Sequence, residues 1–116
     1  MDANIATRGF RALAQETRLE AFRLLVRCGA DGMAAGDIAR AVKVPQNTMS
    51  SHLATLVNAG LLESRREGRS VFYSVDLGGT QALLTFLLKD CCQGQPEACI
   101  SLVNVILPGR CSTERT

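Results

Sequence analysis

Residues 45–62 read PQNTMSSHLATLVNAGLL. From Gln46 to Asn58 the spacing predicts a helix whose apolar residues Met49, Leu53, Leu56 and Val57 stand at i, i+4, i+7 and i+8, a single stripe to be buried. The opposite face carries Asn47, Thr48, Ser51, Thr55 and Asn58, with His52 at its edge. Asp, Glu, Lys and Arg are all missing from Val44 to Leu62. A solvated helix face ordinarily carries charges, often as i,i+4 ion pairs. Small hydroxyls and amides suit a different task, hydrogen bonding to base edges and phosphates in a DNA major groove. An ordinary amphipathic helix that happens to lack charge accounts for this stretch equally well, so its flanks decide.

On the N-terminal side, Ala35–Val42 (AGDIARAV) reads as a short helix burying Ile38, Ala39 and Val42. The break Lys43-Val44-Pro45 follows, because Pro45 disfavours helical geometry at Val44. Two helices joined by three or four residues, the second with a polar outer face, form a helix-turn-helix. On the C-terminal side Gly60 is a good helix stop, and the period then changes from helical to alternating. LLESRREGRSVFYSVD reads as two strands, Leu61–Arg66 and Ser70–Val75, closed by a turn at Glu67-Gly68. In the second strand Val71, Tyr73 and Val75 face one way, Phe72 and Ser74 the other. Arg65, Arg66 and Arg69 lie together just after the uncharged helix, and Arg66 and Arg69 flank the turn, so the hairpin tip is basic. A plain solvated turn, with Glu63 and Glu67 neutralising two of the three arginines, is the alternative. Next to the uncharged helix, the basic hairpin reads as the wing of a winged helix-turn-helix, set to lie along the DNA backbone or minor groove.

At 116 residues the chain is most simply one domain, mainly α with a small β-hairpin. Hydrophobic residues make up 47%, enough for a core, although a chain this short gains from pairing with a second copy. With four Phe, one Tyr and no Trp, base-stacking recognition of single strands is disfavoured. The formal charge of +2 says less than where the arginines lie. The absence of a signal-type run and of a membrane-length apolar stretch implies a cytoplasmic protein with reduced thiols.

Residues 3–14 suggest a first helix, with Ile5, Ala6, Phe10 and Leu13 apolar and Gly9 weakening it. ETRLEAFRLLVRC follows as a second, with Thr17 and Glu20 at capping-box spacing and Leu19, Phe22, Leu25 and Val26 as its buried stripe. Gly29 and Gly32 end it. Gly78-Gly79 separates the wing from a last helix, Thr80–Cys92, where Leu83, Leu84, Phe86, Leu87 and Leu88 surround most of the surface. That is more apolar area than a small monomer covers, so a dimer through the first and last helices is expected. Residues 1–92 then form the DNA-binding and dimerisation domain and residues 93–116 a C-terminal extension. Residues 98–107 suit a strand by their β-branching and a helix by their length.

With these segments in place the sequence resembles the ArsR/SmtB family of metal-sensing repressors. The matching pieces are ALAQETRLEAFRLL (Ala12–Leu25), VPQNTMSSHLATLVNAGLL and SRREGRSVFYSV (Ser64–Val75), roughly residues 10–92 in all. The resemblance implies homodimers that hold palindromic operators and release them when a metal binds. It places Gln46, Asn47, Thr48, Ser51 and His52 on the operator's bases and phosphates, and Arg65, Arg66 and Arg69 on its backbone. This chain departs from the family in its inducer site. The best-known arsenic sensors carry cysteines at the start of the third helix, and AGDIARAV has none. The zinc and nickel sensors use Asp, His and Glu along the last helix, where this chain has no His.

Cys91, Cys92 and Cys99 are the candidate replacement. Three thiolates without a nearby His suit a soft ion that accepts three ligands, and As(III) or Sb(III) does so as a trigonal pyramid. Structural zinc requires four ligands, for which Cys111 is available, and Cu(I) is also soft enough. The resemblance agrees, since some arsenic-responsive members place a vicinal Cys pair and a third Cys near the end of the last helix. Adjacent helical residues point about 100° apart, so Cys91 and Cys92 share one small ion only if the helix frays or ends there. Gly94 and Pro96 help bring Cys99 back to the pair. The competing readings are buried packing cysteines and a disulfide between Cys99 and Cys91 or Cys92 that senses oxidants or reactive sulfur. Cys28 reads as core.

An enzyme is disfavoured. Ser50, Ser51 and His52 are chain neighbours on one helix without an orienting carboxylate. His52 is the only histidine, and C-C-x6-C lacks the C-x-x-C of disulfide oxidoreductases. A metal-trafficking protein that uses its cysteines without DNA is the alternative of another class.

Overall fold

The structure, a computed structural model, describes residues 1–88. The expected metal ligands Cys91, Cys92 and Cys99, together with Cys111 and residues 98–107, lie outside the described residues. In chain order come α1 (Ala3–Leu13), α2 (Glu16–Cys28), a 3-10 turn (Gly29–Asp31), β1 (Met33–Ala34), α3 (Ala35–Val42), α4 (Gln46–Asn58), β2 (Leu62–Glu67), β3 (Ser70–Val75) and α5 (Leu77–Leu88). Met1–Leu83 is one compact unit, and α5 continues into a second that begins at Leu84. Among the described residues no helix is long and apolar enough to cross a membrane.

The helix-turn-helix forms with its expected boundaries. α3 buries Ile38, Ala39 and Val42, and α4 buries Met49, Leu53 and Leu56. α2, α3, α4 and β2 pack on one another, and Leu25, Ile38, Met49, Leu53, Leu56, Leu61 and Leu62 are the fully buried side chains of the core. The connection turns at Lys43, whose φ of 68° is left-handed and whose N–H donates to the Ala39 carbonyl at 2.8 Å. Pro45, extended, then launches α4. At the far end Gly60 (φ 82°) donates to the Val57 carbonyl and Leu61 to that of Leu56, at 2.9 and 3.0 Å. This is the paired bonding of a Schellman stop.

Elsewhere the structure corrects the sequence reading. α2 is capped by Gln15, whose Oε1 accepts the Arg18 N–H at 2.8 Å, and not by a Thr17–Glu20 box. Its buried stripe is Ala21, Phe22 and Leu25, leaving Leu19 and Val26 exposed. The buried residues of α1 are its small ones, Ala6, Gly9 and Ala12. Gly9 is thus a contact point, since an added Cβ would stand 3.2 Å from the Leu83 side chain.

The hairpin pairs Leu62 with Val75 through to Glu67 with Ser70, so its two-residue turn is Gly68-Arg69, one residue later than expected. Gly68 takes φ 66° at the first turn position, where a type II′ turn requires glycine. The sequence reading missed β1, which adds to β3 by pairing Met33 with Tyr73 and Ala34 with Phe72, making a three-stranded antiparallel sheet of order β1-β3-β2.

α5 starts at Leu77 and contains the two glycines expected to precede it. Asp76 caps it, its Oδ1 accepting the Gly79 N–H at 2.9 Å. Gly79 is required there by close approach, because a Cβ would overlap the Gly60 carbonyl oxygen.

Candidate nucleic-acid interface

α4 stands on its buried row and turns the rest of its surface outward. Gln46, Asn47, Thr48, Ser50, Ser51, Ala54, Thr55 and Asn58 are exposed, and His52 is half-buried at the edge of this face. The face is uncharged, as the sequence indicated, and Ser50 and Ala54 belong to it as well. The predicted contact residues are not equivalent. Asn47 Oδ1 accepts the Thr48 N–H at 2.9 Å, and Thr55 Oγ1 donates to the Ser51 carbonyl at 3.2 Å. The Gln46 amide leans over the start of α3, where a Cβ on Gly36 would lie 3.4 Å from its Oε1. Pro45 offers the helix no side-chain cap, which leaves the first turn of α4 suited to a phosphate oxygen.

His52 is held from outside the helix-turn-helix. Its Nδ1 lies 3.3 Å from Nη1 of Arg18 in α2, whose Nε donates to the Ala12 carbonyl of α1 at 2.6 Å. Nothing local in the sequence signals this link, since the partners are 34 residues apart.

The wing arginines divide. Arg65 is tied inward: Nε donates to Glu67 Oε2 at 2.6 Å, Nη2 to the Asp31 carbonyl at 2.8 Å, and the guanidinium lies 5.2 Å from the centroid of the Phe72 ring. It therefore joins the wing to the turn before β1, and Glu67 partly neutralises it. Arg66 and Arg69 are exposed, and among the described residues neither enters an ion pair. Glu63 pairs with none of the arginines. Arg69 is the second residue of the turn itself. Arg40 of α3 is paired with Asp37.

Comparison with known proteins fits this geometry. The helix-turn-helix domain family matches residues 13–65, the span from the end of α1 to the middle of β2. The transcriptional repressor SdpR of Bacillus subtilis is 32% identical over 80 residues, covering 69% of this chain and 86% of its own. The homodimeric winged helix-turn-helix domain of Mb0332 from Mycobacterium bovis, described as a possible ArsR-family regulator, superposes with a TM-score of 0.62 at 30% identity, over 75% of this chain and 80% of that one. This chain belongs to the ArsR/SmtB family of winged helix-turn-helix transcriptional regulators. Another relative of the ArsR/SmtB chain, the transcriptional activator HlyU of Vibrio cholerae, is 29% identical over 83 residues, 72% of this chain and 74% of its own. Its reduced form superposes with a TM-score of 0.59 at 28% identity, over 78% of this chain and 93% of that one. These relatives regulate transcription and are not enzymes, in accord with a site made of hydrogen-bonding and cationic side chains. Among the described residues no group of three His, Cys, Asp or Glu side chains is placed to hold a metal ion. Cys28, the one described cysteine, is a half-buried free thiol at the end of α2.

Proposed function

We propose that this ArsR/SmtB chain is a homodimeric repressor that holds a palindromic operator and leaves it when trivalent arsenic or antimony binds Cys91, Cys92 and Cys99. The observation that carries the DNA half is the exposed, charge-free polar face of α4 beside the free cations Arg66 and Arg69. Gln46, Asn47, Thr48, Ser51 and His52 read the operator, and Arg66 and Arg69 hold its backbone; Arg65 contributes chiefly by shaping the wing. Dimerisation is supported by Ile5 and Phe10 of α1 and Leu77 of α5, apolar side chains left exposed on the unit. A two-fold dimer presents two α4 helices to two half-sites, which is why the operator is expected to be palindromic.

The inducer half rests on the donor set. Arsenite, As(OH)3, and three thiols give three As–S bonds and three waters, so a neutral inducer loads without a net charge change. To empty the operator it must prefer the DNA-incompetent dimer, with coupling of about 1–3 kcal/mol, or roughly 5- to 150-fold in affinity. A second reading, oxidation of the same cysteines by peroxide or reactive sulfur, is supported by the likeness to HlyU, a regulator known in a form described as reduced. A metal-trafficking protein without DNA binding has less support, because the α4 face then has no task.

The test starts with a binding site selected from a randomised duplex pool. Reduced protein on that duplex is then titrated with arsenite, antimonite, zinc, copper(I) and peroxide, with release read by fluorescence anisotropy. Arsenite or antimonite should release wild type and leave Cys91→Ser, Cys92→Ser and Cys99→Ser bound. Release by peroxide alone would favour the second reading, and failure to select any duplex at low salt would remove the repressor.

A further inference from the structure

We infer that Arg18 sets the tautomer of His52, so that the imidazole meets the operator as a hydrogen-bond donor through Nε2–H. This rests on the DNA-reading role proposed for α4, although its first half concerns the free protein alone. A guanidinium has only donors and keeps its charge. With Nη1 of Arg18 3.3 Å from His52 Nδ1, that nitrogen serves as the acceptor. The neutral ring then carries its proton on Nε2, because a hydrogen bond at one imidazole nitrogen dictates the state of the other.

Arg18 is well fixed for this purpose. Its Nε is bonded to the Ala12 carbonyl at the end of α1, and its backbone N–H to the Gln15 cap of α2. One side chain thus joins the α1–α2 corner to the middle of α4. On α4, His52 shares its side of the helix with exposed Thr48 and Thr55, one turn before and after it. A pure donor at this place matches an acceptor on the duplex, either a purine N7 or guanine O6 in the major groove or a phosphate oxygen. Arg18 is a positioning residue, and His52 the residue it sets.

The chain's single histidine allows a direct test. In full-length 15N-labelled protein, the two ring nitrogens observed above the imidazole titration belong to His52 without further assignment. Wild type should show a protonated Nε2 and an unprotonated Nδ1. Arg18→Met, which keeps an apolar stem and no donor, should show averaged tautomers, and Arg18→Lys, which retains a donor, should restore the wild-type pattern at least in part. An Nδ1–H tautomer or averaging in wild type overturns the proposal, whatever becomes of DNA binding and even if Arg18→Met fails to fold.

For the second half, wild type, Arg18→Met and His52→Ala are measured on the selected duplex and on pool DNA. One lost donor, about 0.5–1.5 kcal/mol net, should weaken binding to the selected duplex roughly twofold to twelvefold. A loss confined to the selected duplex identifies a base acceptor, and an equal loss on both identifies a phosphate oxygen. Unchanged affinity of both variants for both duplexes would overturn the donor role and leave the rest of the α4 reading standing.

Discussion

Two surfaces of the Met1–Leu83 unit are open to solvent, and their chemistry is opposite. The outer face of α4 displays amides and hydroxyls without a formal charge, over a row in which Met49, Leu53 and Leu56 are fully buried. α1 and α2 display Ile5, Phe10, Leu19 and Val26 at 47, 37, 43 and 54% exposure, among arginines and glutamates. A helix that only has to stay soluble needs neither arrangement. Hydrogen-bonding groups free of charge suit a surface that must discriminate between base pairs. Large apolar side chains suit a second protein surface, where burial contributes up to about 1.5–3 kcal/mol for each. On the proposed function, one unit thus carries both a reading face and a pairing face.

The largest effect comes from breaking the reading face from beneath. Leu53→Ala removes a wholly buried side chain of α4 and should cost about 2–5 kcal/mol in urea unfolding. Ser51→Ala, its exposed neighbour, should stay within about 0.5 kcal/mol of wild type. Its effect should appear as altered base preference in duplex selection. Equal stability losses in the two variants would mean that α4 is not divided into a supporting and a reading side.

The pairing face breaks next. Phe10→Glu places a charge among the exposed apolar residues of α1 and should raise the dimer dissociation constant more than tenfold, as followed by sedimentation equilibrium. Monomer stability should change little, because Phe10 is not part of the core. A Phe10→Glu chain that remains dimeric would move the interface off α1.

The two faces also differ in how much of them could be read from the chain. α3 and α4 appear with their correct ends and, apart from Val57, which is only half-buried, with their correct buried residues, because their signals are local: an apolar period, a proline at the start, a glycine at the stop. α1 and α2 lie where the periodicity puts them, but α2 buries a different face from the predicted stripe. Periodicity specifies a stripe, yet in α2 Leu19 and Val26 compete with Ala21 for it, and packing against the rest of the fold decides. Other features depend on contacts across long sequence separations. β1 is two residues whose strand character exists only through Tyr73 and Phe72. The glycines of α5 looked like a linker because nothing local reveals that Gly60 approaches Gly79. Arg65 looked like its neighbours Arg66 and Arg69 until Asp31 and Phe72 were brought beside it.

That division of the wing sharpens the reading side of the comparison. Arg69→Ala should weaken binding to all duplexes and make the dependence of log K on log salt shallower by about one for each arginine removed. Arg65→Ala should leave the slope nearly unchanged. Its effect should be local, as faster amide exchange in β2 and at the turn Gly29–Asp31, where its hydrogen bond to Asp31 is lost. Identical salt slopes for the two variants would show that exposure in the free protein does not determine which arginine meets the backbone.

The smallest effect lies in the turn that orients α4. Lys43 adopts a left-handed φ of 68° to close α3 and turn the chain toward Pro45. For a residue with a Cβ this conformation costs about 1–2 kcal/mol, whereas glycine adopts it freely. Glycine's larger entropy in the unfolded chain offsets about 0.5–1 kcal/mol of that, so Lys43→Gly should gain at most about 1.5 kcal/mol. At fixed protein concentration this caps the rise in Tm at about 6–12 °C, by the usual scaling of about 4–8 °C per kcal/mol in domains near this size. Neither face is altered by the substitution, so the base preference of α4 and the dimer dissociation constant should both match wild type. A shifted base preference would mean that the lysine itself meets the duplex and that the reading face extends back from α4 into the turn.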